Sequence, residues 1–353
     1  MTNKKFFSSG LLDWNEKSNS REMPWKGEKD PYRIWISEIV LQQTRVQQGM
    51  AYYERIIAAF PNVKSLAEAP EQSVFKLWEG LGYYSRCRNL IASAKYIHEN
   101  LNDKFPSEYD DILSLKGIGS YTASAIASFA FNKPYAVLDG NVFRVLSRFF
   151  GIETPINTPA GKKYYGELAQ SLLDKQNPAI YNQAIMDFGA VVCKPAAPLC
   201  GECPLQKKCY AFLNNKVSVL PINEQVIRQK ERFFNYLIIE YRQKFYVKER
   251  TAKDIWQNLF EFILIETTSL LQVSALLKSE PCREIFETSQ FVVFNVSENY
   301  FQKLTHQRIF GRFLHIKITR PLKESGNYQL ISKAELTTLP FPKFITSYLA
   351  DKK

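Results

Sequence analysis

Four cysteines, Cys193, Cys200, Cys203 and Cys209, fall within seventeen residues of a 353-residue chain that has only six. Their spacing is C-x6-C-x2-C-x5-C, and Pro195, Pro198, Gly201 and Pro204 force tight turns between them. A loop so short and so broken by turns needs a bound metal to order it. Disulfides are a poor fit, because thiols that staple loops are scattered along a secreted chain rather than bunched in one loop. Spacing alone places a structural zinc ahead of an iron-sulfur cluster, since both are held by thiolates and both use C-x2-C pairs. Cys87 and Cys282 stand alone and read as structural.

Charge narrows the function. Lys and Arg number 46 against 35 Asp and Glu, a formal charge of +11, which favours an anionic partner such as nucleic acid over the bland alternative of a solvated basic surface. The chain carries no apolar run of membrane-spanning length and no charged-then-apolar leader at its start, so a soluble, cytoplasmic protein is expected. Its length suits two domains, and a monomer is expected.

Two textures divide the sequence. From about residue 11 to 210 apolar residues recur at three and four, with turn signals at Pro61-Asn62, Asn102-Asp103 and Asn157-Thr158-Pro159. Residues 1–212 therefore read as an all-α domain. Residues 213–231 are polar and aperiodic and suit a linker. Residues 232–353 read as an α+β domain with an antiparallel sheet: FFNYLIIEY, KFYVKER and RIFGRFLHIKITR are rich in β-branched and aromatic residues, and SLLQVSALLKS and KFITSYLADKK are helical candidates.

Within the helical part, LKGIGSYTASAIASFAF has the form of a helix-hairpin-helix. Gly117 and Gly119 permit positive φ in a tight hairpin, and the amides of Ile118 to Ser120 open a helix whose N-terminus can hold a DNA phosphate. Two carboxylates also need an account. Glu38 lies in DPYRIWISEIVLQQT, where Asp30 caps a helix, Pro31 opens it, and Trp35, Ile36, Ile39 and Leu41 surround the acid. Buried, such a carboxyl rises towards a pKa of roughly 6 and becomes a general acid, whereas on the exposed face it is an ordinary glutamate. Asp139 in VLDGNVFRVLSRFF reads first as an N-cap, and Asn141 shares that ambiguity.

The order of WISEIVLQQTRV, WEGLGYYSRCRNL, LKGIGSYTASAI, VLDGNVFRVLSR, YNQAIMDFGAVVC and the cysteine tail resembles the MutY family of adenine DNA glycosylases, strongly over residues 7 to 210. The resemblance turns the metal reading around: in that family the four cysteines hold a 4Fe-4S cluster. It implies duplex DNA carrying an adenine mispaired with 8-oxoguanine or guanine as partner, and adenine flipped from the helix before its N-glycosidic bond is broken. It implies that Glu38 protonates the base at N7 and that Asp139 faces the sugar, with Asn141 and Tyr121 orienting sugar and water. It further implies a base pocket of Arg21, Trp25, Leu41 and Gln183, and contacts to the duplex and the 8-oxoguanine strand from Gln43, Thr44 and Tyr83. One departure is Lys26, where the family usually has arginine.

The last part resembles a Nudix hydrolase fold lacking its catalytic box. DIWQNLFEF lacks the family's usual glycines at Gln257 and Asn258, and KLTHQRIF falls where the family carries an 8-oxoguanine-reading loop, which leaves Thr305 and His306 as its polar residues. The alternative is a plain strand in which both merely alternate with core residues. Two rival functions differ at single features: an endonuclease III-like glycosylase with lyase activity needs a lysine where Tyr121 stands, and a non-catalytic iron-sulfur DNA-binding module needs neither Glu38 nor Asp139.

Overall fold

The computed structural model describes residues 3–224, 229–287, 289–323 and 326–351. The chain divides into two compact units, Met1–Glu68 with Asn89–Gln225, and Ala69–Arg88 with Val226–Lys353. Residues 69–88, helical in sequence pattern, thus group with the sheet rather than with the helices that flank them. Of the expected linker 213–231, residues 225–228 lie outside the described residues.

The helical unit contains α1 (Asn3–Ser18), α2 (Pro31–Leu41), α3 (Val46–Ala59) and α4 (Val63–Glu68). After the excursion through α5 (Glu71–Trp78), α6 (Tyr84–Leu101) brings the chain back, followed by α7 (Tyr109–Ser114), α8 (Ser120–Phe131), α9 (Gly140–Phe150), α10 (Pro159–Leu172), α11 (Pro178–Val191) and α12 (Tyr210–Leu213). Phe7, Leu11, Leu146, Phe149, Tyr165, Ile185 and Phe188 form the core where α1, α9, α10 and α11 meet. There Trp14 and Phe188 pack edge to face with ring centroids 5.0 Å apart. The α2 helix is buried from Ile34 to Val40, as an apolar run without a polar stripe requires. Among the described residues no helix is long and apolar enough to cross a membrane.

The second unit is built on β1 (Lys230–Tyr241), β2 (Lys244–Glu249), β3 (Phe260–Glu261), β4 (Ile263–Thr267), β5 (Phe291–Val296), β6 (Tyr300–Lys303), β7 (Gln307–Ile318) and β8 (Gln329–Ser332), with α13 (Val273–Leu277), α14 (Glu280–Phe286), α15 (Lys333–Leu336) and α16 (Lys343–Asp351). The strand order is β3-β2-β1-β7-β5, with β4 on β1, β6 on β7 and β8 on β2. The central pair β1–β7 is parallel, from Lys230 opposite Gln307 to Glu240 opposite Lys317. The other pairings are antiparallel, as expected, so the sheet is mixed: the long excursion between β1 and β7, which includes α13 and α14, lets the chain return in the same direction. The expected helix across SLLQVSALLKS shortens to Val273–Leu277, its N-cap at Gln272.

Leu237, Ile239, Leu314 and Ile316 face one core with Leu276, Cys282 and Phe286, and an aromatic layer of Tyr236, Phe313, Phe344 and Tyr348 packs the other side. Burial on both faces explains why β1 reads from Phe233 to Ile239 as an apolar run broken only by Asn235. The excursion 69–88 belongs to this unit through specific bonds: Lys76 Nζ donates to the Leu339 carbonyl at 3.0 Å, Phe341 N–H to Glu79 Oε1 at 2.8 Å, and Arg88 Nη1 to the Gln257 carbonyl at 2.9 Å.

Candidate active site and DNA-binding elements

Asp30 caps α2, its Oδ1 accepting from Tyr32 N–H at 2.9 Å, and Pro31 supplies the first turn. Two turns later Glu38 is only 6% exposed, so the exposed-face alternative does not hold. Burial pushes its carboxyl up to about 7, opposed by a hydrogen bond from Tyr121 and reinforced by the charge of Asp139. Tyr121 lies in the first turn of α8, and burial raises its hydroxyl well above the usual phenol value.

Asp139 is the N-cap of α9, and it is also at the site. Its Oδ1 accepts from Val142 N–H at 2.8 Å and its Oδ2 from Asn141 Nδ2 at 2.7 Å. Burial raises this carboxyl too, while both hydrogen bonds work the other way. Asn141 is held in turn by Arg144, whose Nη2 donates to Asn141 Oδ1 at 2.7 Å and to the Gly189 carbonyl at 2.7 Å, while Nε donates to the Cys193 carbonyl at 2.7 Å. Gly189 makes this close approach of α11 possible, since a Cβ there would stand 2.6 Å from Asn141 Cβ.

Glu38, Tyr121, Asp139 and Asn141 line a cavity of about 640 Å³, together with Arg21, Trp25, Leu41, Gln43, Thr44 and Gln183. The structure therefore brings the four expected catalytic residues and the four expected pocket residues to one place, and sets Gln43 and Thr44, expected at the duplex, on the same cavity. Gln43 adopts φ 56, a conformation that costs a non-glycine residue energy and is held only by its surroundings.

Two residues escaped the sequence reading. Asp187 is fully buried on α11 and accepts from Arg21 Nη1 at 2.8 Å and Gln183 Nε2 at 2.9 Å. It also fixes Lys26, whose Nζ lies 3.1 Å from its Oδ2 and donates to the Arg21 carbonyl at 2.7 Å. A lone acid inside the apolar run AIMDFGAVV was the available signal. Arg144, inside the apolar VFRVLSRFF, carried the same kind of signal.

The hairpin expected to hold phosphate joins α7 to α8. Gly117 has φ 83, and a Cβ on it would meet Asn89 Cβ at 2.6 Å, so glycine is required twice over. Gly119 needs correction: it is the extended N-cap of α8 at φ −98, and an added Cβ meets nothing. Its use is an open approach to the helix N-terminus rather than positive φ. Ser120 opens the helix, and Ile118 is buried beneath it.

The four loop cysteines lie close enough for their charges to act on one another, and burial pushes the Cys203 thiol up to about 12. Arg148 Nη1 lies 3.5 Å from Cys193 Sγ and donates to the Lys194 carbonyl at 2.8 Å, while Nε donates to the Leu220 carbonyl at 3.0 Å. Among the described residues no three Cys, His, Asp or Glu side chains are gathered tightly enough to hold one metal ion.

In the second unit Thr305 and His306 sit in a tight turn between β6 and β7, closed by Leu304 N–H donating to the Gln307 carbonyl at 2.8 Å. Both are exposed, so the plain-strand alternative does not describe them. Tyr83, at φ 49, has its hydroxyl 3.1 Å from Thr305 Oγ1. Asn258 adopts φ 69, the conformation a glycine would take there.

A family model described as HhH-GPD superfamily base excision DNA repair protein matches residues 36–169. A thermostable thymine-DNA glycosylase is similar with a TM-score of 0.56 at 29% identity, over 60% of this chain and 97% of that one. A trapped endonuclease III-DNA covalent intermediate shares the fold with a TM-score of 0.53 at 18% identity, over 61% and 99%. Fold and site together define a helix-hairpin-helix DNA glycosylase. The adenine DNA glycosylase of Buchnera aphidicola subsp. Schizaphis graminum is 36% identical over 263 residues, 74% of this chain and 75% of that protein. The human adenine DNA glycosylase is 40% identical over 215 residues, 58% of this chain and 39% of that protein. The chain belongs to the adenine DNA glycosylase family.

Proposed function

We propose that the chain acts as a monomer on duplex DNA, flips adenine paired with 8-oxoguanine or guanine into the cavity, and hydrolyses its N-glycosidic bond without a strand-cleaving step. The observation that carries this is a pair of carboxyls at one cavity, Glu38 buried and Asp139 half-buried. Two carboxyls that sense each other do not share charge equally. Asp139 accepts two hydrogen bonds that favour its anion, and Glu38, held near pH 7, keeps the proton.

Glu38 then delivers its proton to N7, so that adenine departs as a neutral base. Asp139 stabilises the positive charge developing at the sugar, and Asn141, clamped by Arg144, fixes that carboxylate's direction. Tyr121 occupies the position at which a lyase would need a nucleophilic lysine. The two cavity lysines are already donors, Lys26 to Asp187 and the Arg21 carbonyl and Lys29 to the Phe129 carbonyl at 3.0 Å, which supports a single hydrolytic step.

Cys193, Cys200, Cys203 and Cys209 are the proposed ligands of one 4Fe-4S cluster. Thiolates hold such a cluster as readily as a zinc ion, and the resemblance to the adenine DNA glycosylases favours the cluster. When bound, the cluster orders the loop from 193 to 209, which carries Lys207 and Lys208. The Tyr83–Thr305 pair and His306 are the proposed readers of 8-oxoguanine.

The test is excision on oligonucleotides carrying A opposite 8-oxoguanine, A opposite G, an oxidised pyrimidine, or no lesion. Release of adenine from the first two alone is expected. Release of the oxidised pyrimidine with strand cleavage would replace this reading with the endonuclease III one, and no release from any substrate would favour the non-catalytic module.

A further inference from the structure

Asp187 does not line the cavity, yet four donors end on its fully buried carboxylate. Oδ1 accepts from Arg21 Nη1 at 2.8 Å and Gln183 Nε2 at 2.9 Å; Oδ2 accepts from Asn19 Nδ2 at 2.9 Å and Lys26 Nζ at 3.1 Å. Three of these four residues, Arg21, Lys26 and Gln183, line the cavity. Gln183 and Asp187 stand one turn apart on α11, so they share a helix face.

The chemistry of the partner decides which way the glutamine amide turns. A carboxylate accepts hydrogen bonds and a glutamine amide offers both a donor and an acceptor end, so Gln183 must give its NH2 to Asp187 and keep Oε1 for the cavity side. Without that partner the amide could present either end at nearly equal cost.

We propose that Asp187 is the residue that positions the base pocket for specificity: by fixing the Gln183 amide it makes one wall an acceptor, suited to the exocyclic amino group of a purine, and it holds Arg21 and Lys26 in place beside it. The inference rests on the cavity being the adenine pocket. Adenine donates from its 6-amino group, whereas a 6-oxo purine accepts at that position. A fixed acceptor therefore favours the first and leaves the second facing an unpaired oxygen, a difference that polar pockets turn into strong discrimination. Asp187 is a positioning residue and touches no reacting atom.

The experiment compares Asp187→Asn with the unaltered protein in single-turnover excision from duplexes that differ only in the target base: adenine, purine without a 6-substituent, or hypoxanthine. Intrinsic leaving ability cancels when each variant's adenine-to-purine rate ratio is divided by that of the unaltered protein. Asparagine keeps the shape but can donate to Gln183 Oε1 and release the amide to turn. The expected result is a fall in the adenine-to-purine ratio of about fivefold or more, with a parallel gain for hypoxanthine relative to adenine. In a Gln183→Ala background the same substitution should change the ratio by less than about twofold, because the shared acceptor is already gone.

Asp187→Asn leaves two cations short of one negative charge, so Asp187→Asn with Lys26→Met restores the balance and carries the test if the single variant does not fold. An unchanged ratio in the folded single or double variant, with only a lower melting temperature, overturns the proposal and leaves Asp187 structural. A full drop in the Gln183→Ala background overturns it as well. If the unaltered protein releases no adenine, it is the functional reading itself that has failed.

Discussion

The hydroxyl of Tyr83 lies 3.1 Å from that of Thr305, although 222 residues separate them in the chain. The family resemblance implies a role at the 8-oxoguanine strand for each of them separately, and the fold makes them neighbours within one unit. Tyr83 pays for its position with a left-handed backbone at φ 49, and Arg86 lies over its ring at 5.3 Å. A hydroxyl can accept the N7–H that 8-oxoguanine has and guanine lacks. Thr305→Ala with His306→Ala should lower the preference for A opposite 8-oxoguanine over A opposite G by about fivefold to tenfold while excision continues, at about 1 kcal/mol for one such bond. Tyr83→Phe should move the preference the same way, and unchanged selectivity in both variants would assign lesion reading to other residues.

Glu38→Gln should bind mispaired DNA and lose excision, because an amide has no proton to deliver. The pH dependence has a definite sign. The acid form dominates below about 7, so the chemical rate should fall as pH rises through that value. Stability follows the same group: folded Glu38 holds its proton up to about 7, whereas the unfolded group, at 4.5, has already released it. Stability is therefore lost as pH rises from 4.5 to 7, on the order of 3 kcal/mol for a shift of this size. Denaturant melts should show Glu38→Gln equal to the unaltered protein near pH 4.5 and more stable than it at pH 8.

Asp139→Asn preserves the hydrogen bond from Val142 N–H and removes the charge, so it should fold normally and fail to excise. Asp139→Ala should do worse, losing both catalysis and about 1 kcal/mol of helix capping. Equal stability of the two variants in thermal melts would deny Asp139 its structural share.

Arg144→Lys tests the clamp on Asn141. A lysine cannot serve Asn141, Gly189 and Cys193 together, so the carboxylate loses its fixed direction. Single-turnover excision should fall on the order of 10-fold to 100-fold. If the rate holds, Asn141 is positioned without Arg144.

Protein prepared without oxygen should be brown and contain iron and sulfide, lost together when Cys200→Ser is introduced. That variant should weaken folding or DNA binding more than the chemistry of already bound substrate. Zinc without iron in such preparations would reject the cluster.

Much of this site was legible because its residues sit in short, ordered stretches: Glu38 behind Asp30-Pro31, Asp139 at the head of α9, and the cysteines within one loop. What stayed hidden depends on separate elements meeting. Asp187 takes its meaning from Arg21 and Lys26, more than 160 residues away, and Arg144 from a carbonyl on α11 and another in the cysteine loop. The parallel pairing of β1 with β7 is hidden for a related reason: both strands are buried on two faces, so neither shows the alternation that would reveal its neighbours.

The excursion of residues 69–88 changes what a deletion can reveal. A stop codon in the region after Leu220 does not remove a whole unit; it strands twenty residues whose partners it deletes, leaving Lys76, Glu79 and Arg88 without Leu339, Phe341 and Gln257. A chimera that exchanges the C-terminal region between two relatives must therefore carry two segments of gene, one of them lying inside the half it is meant to leave untouched.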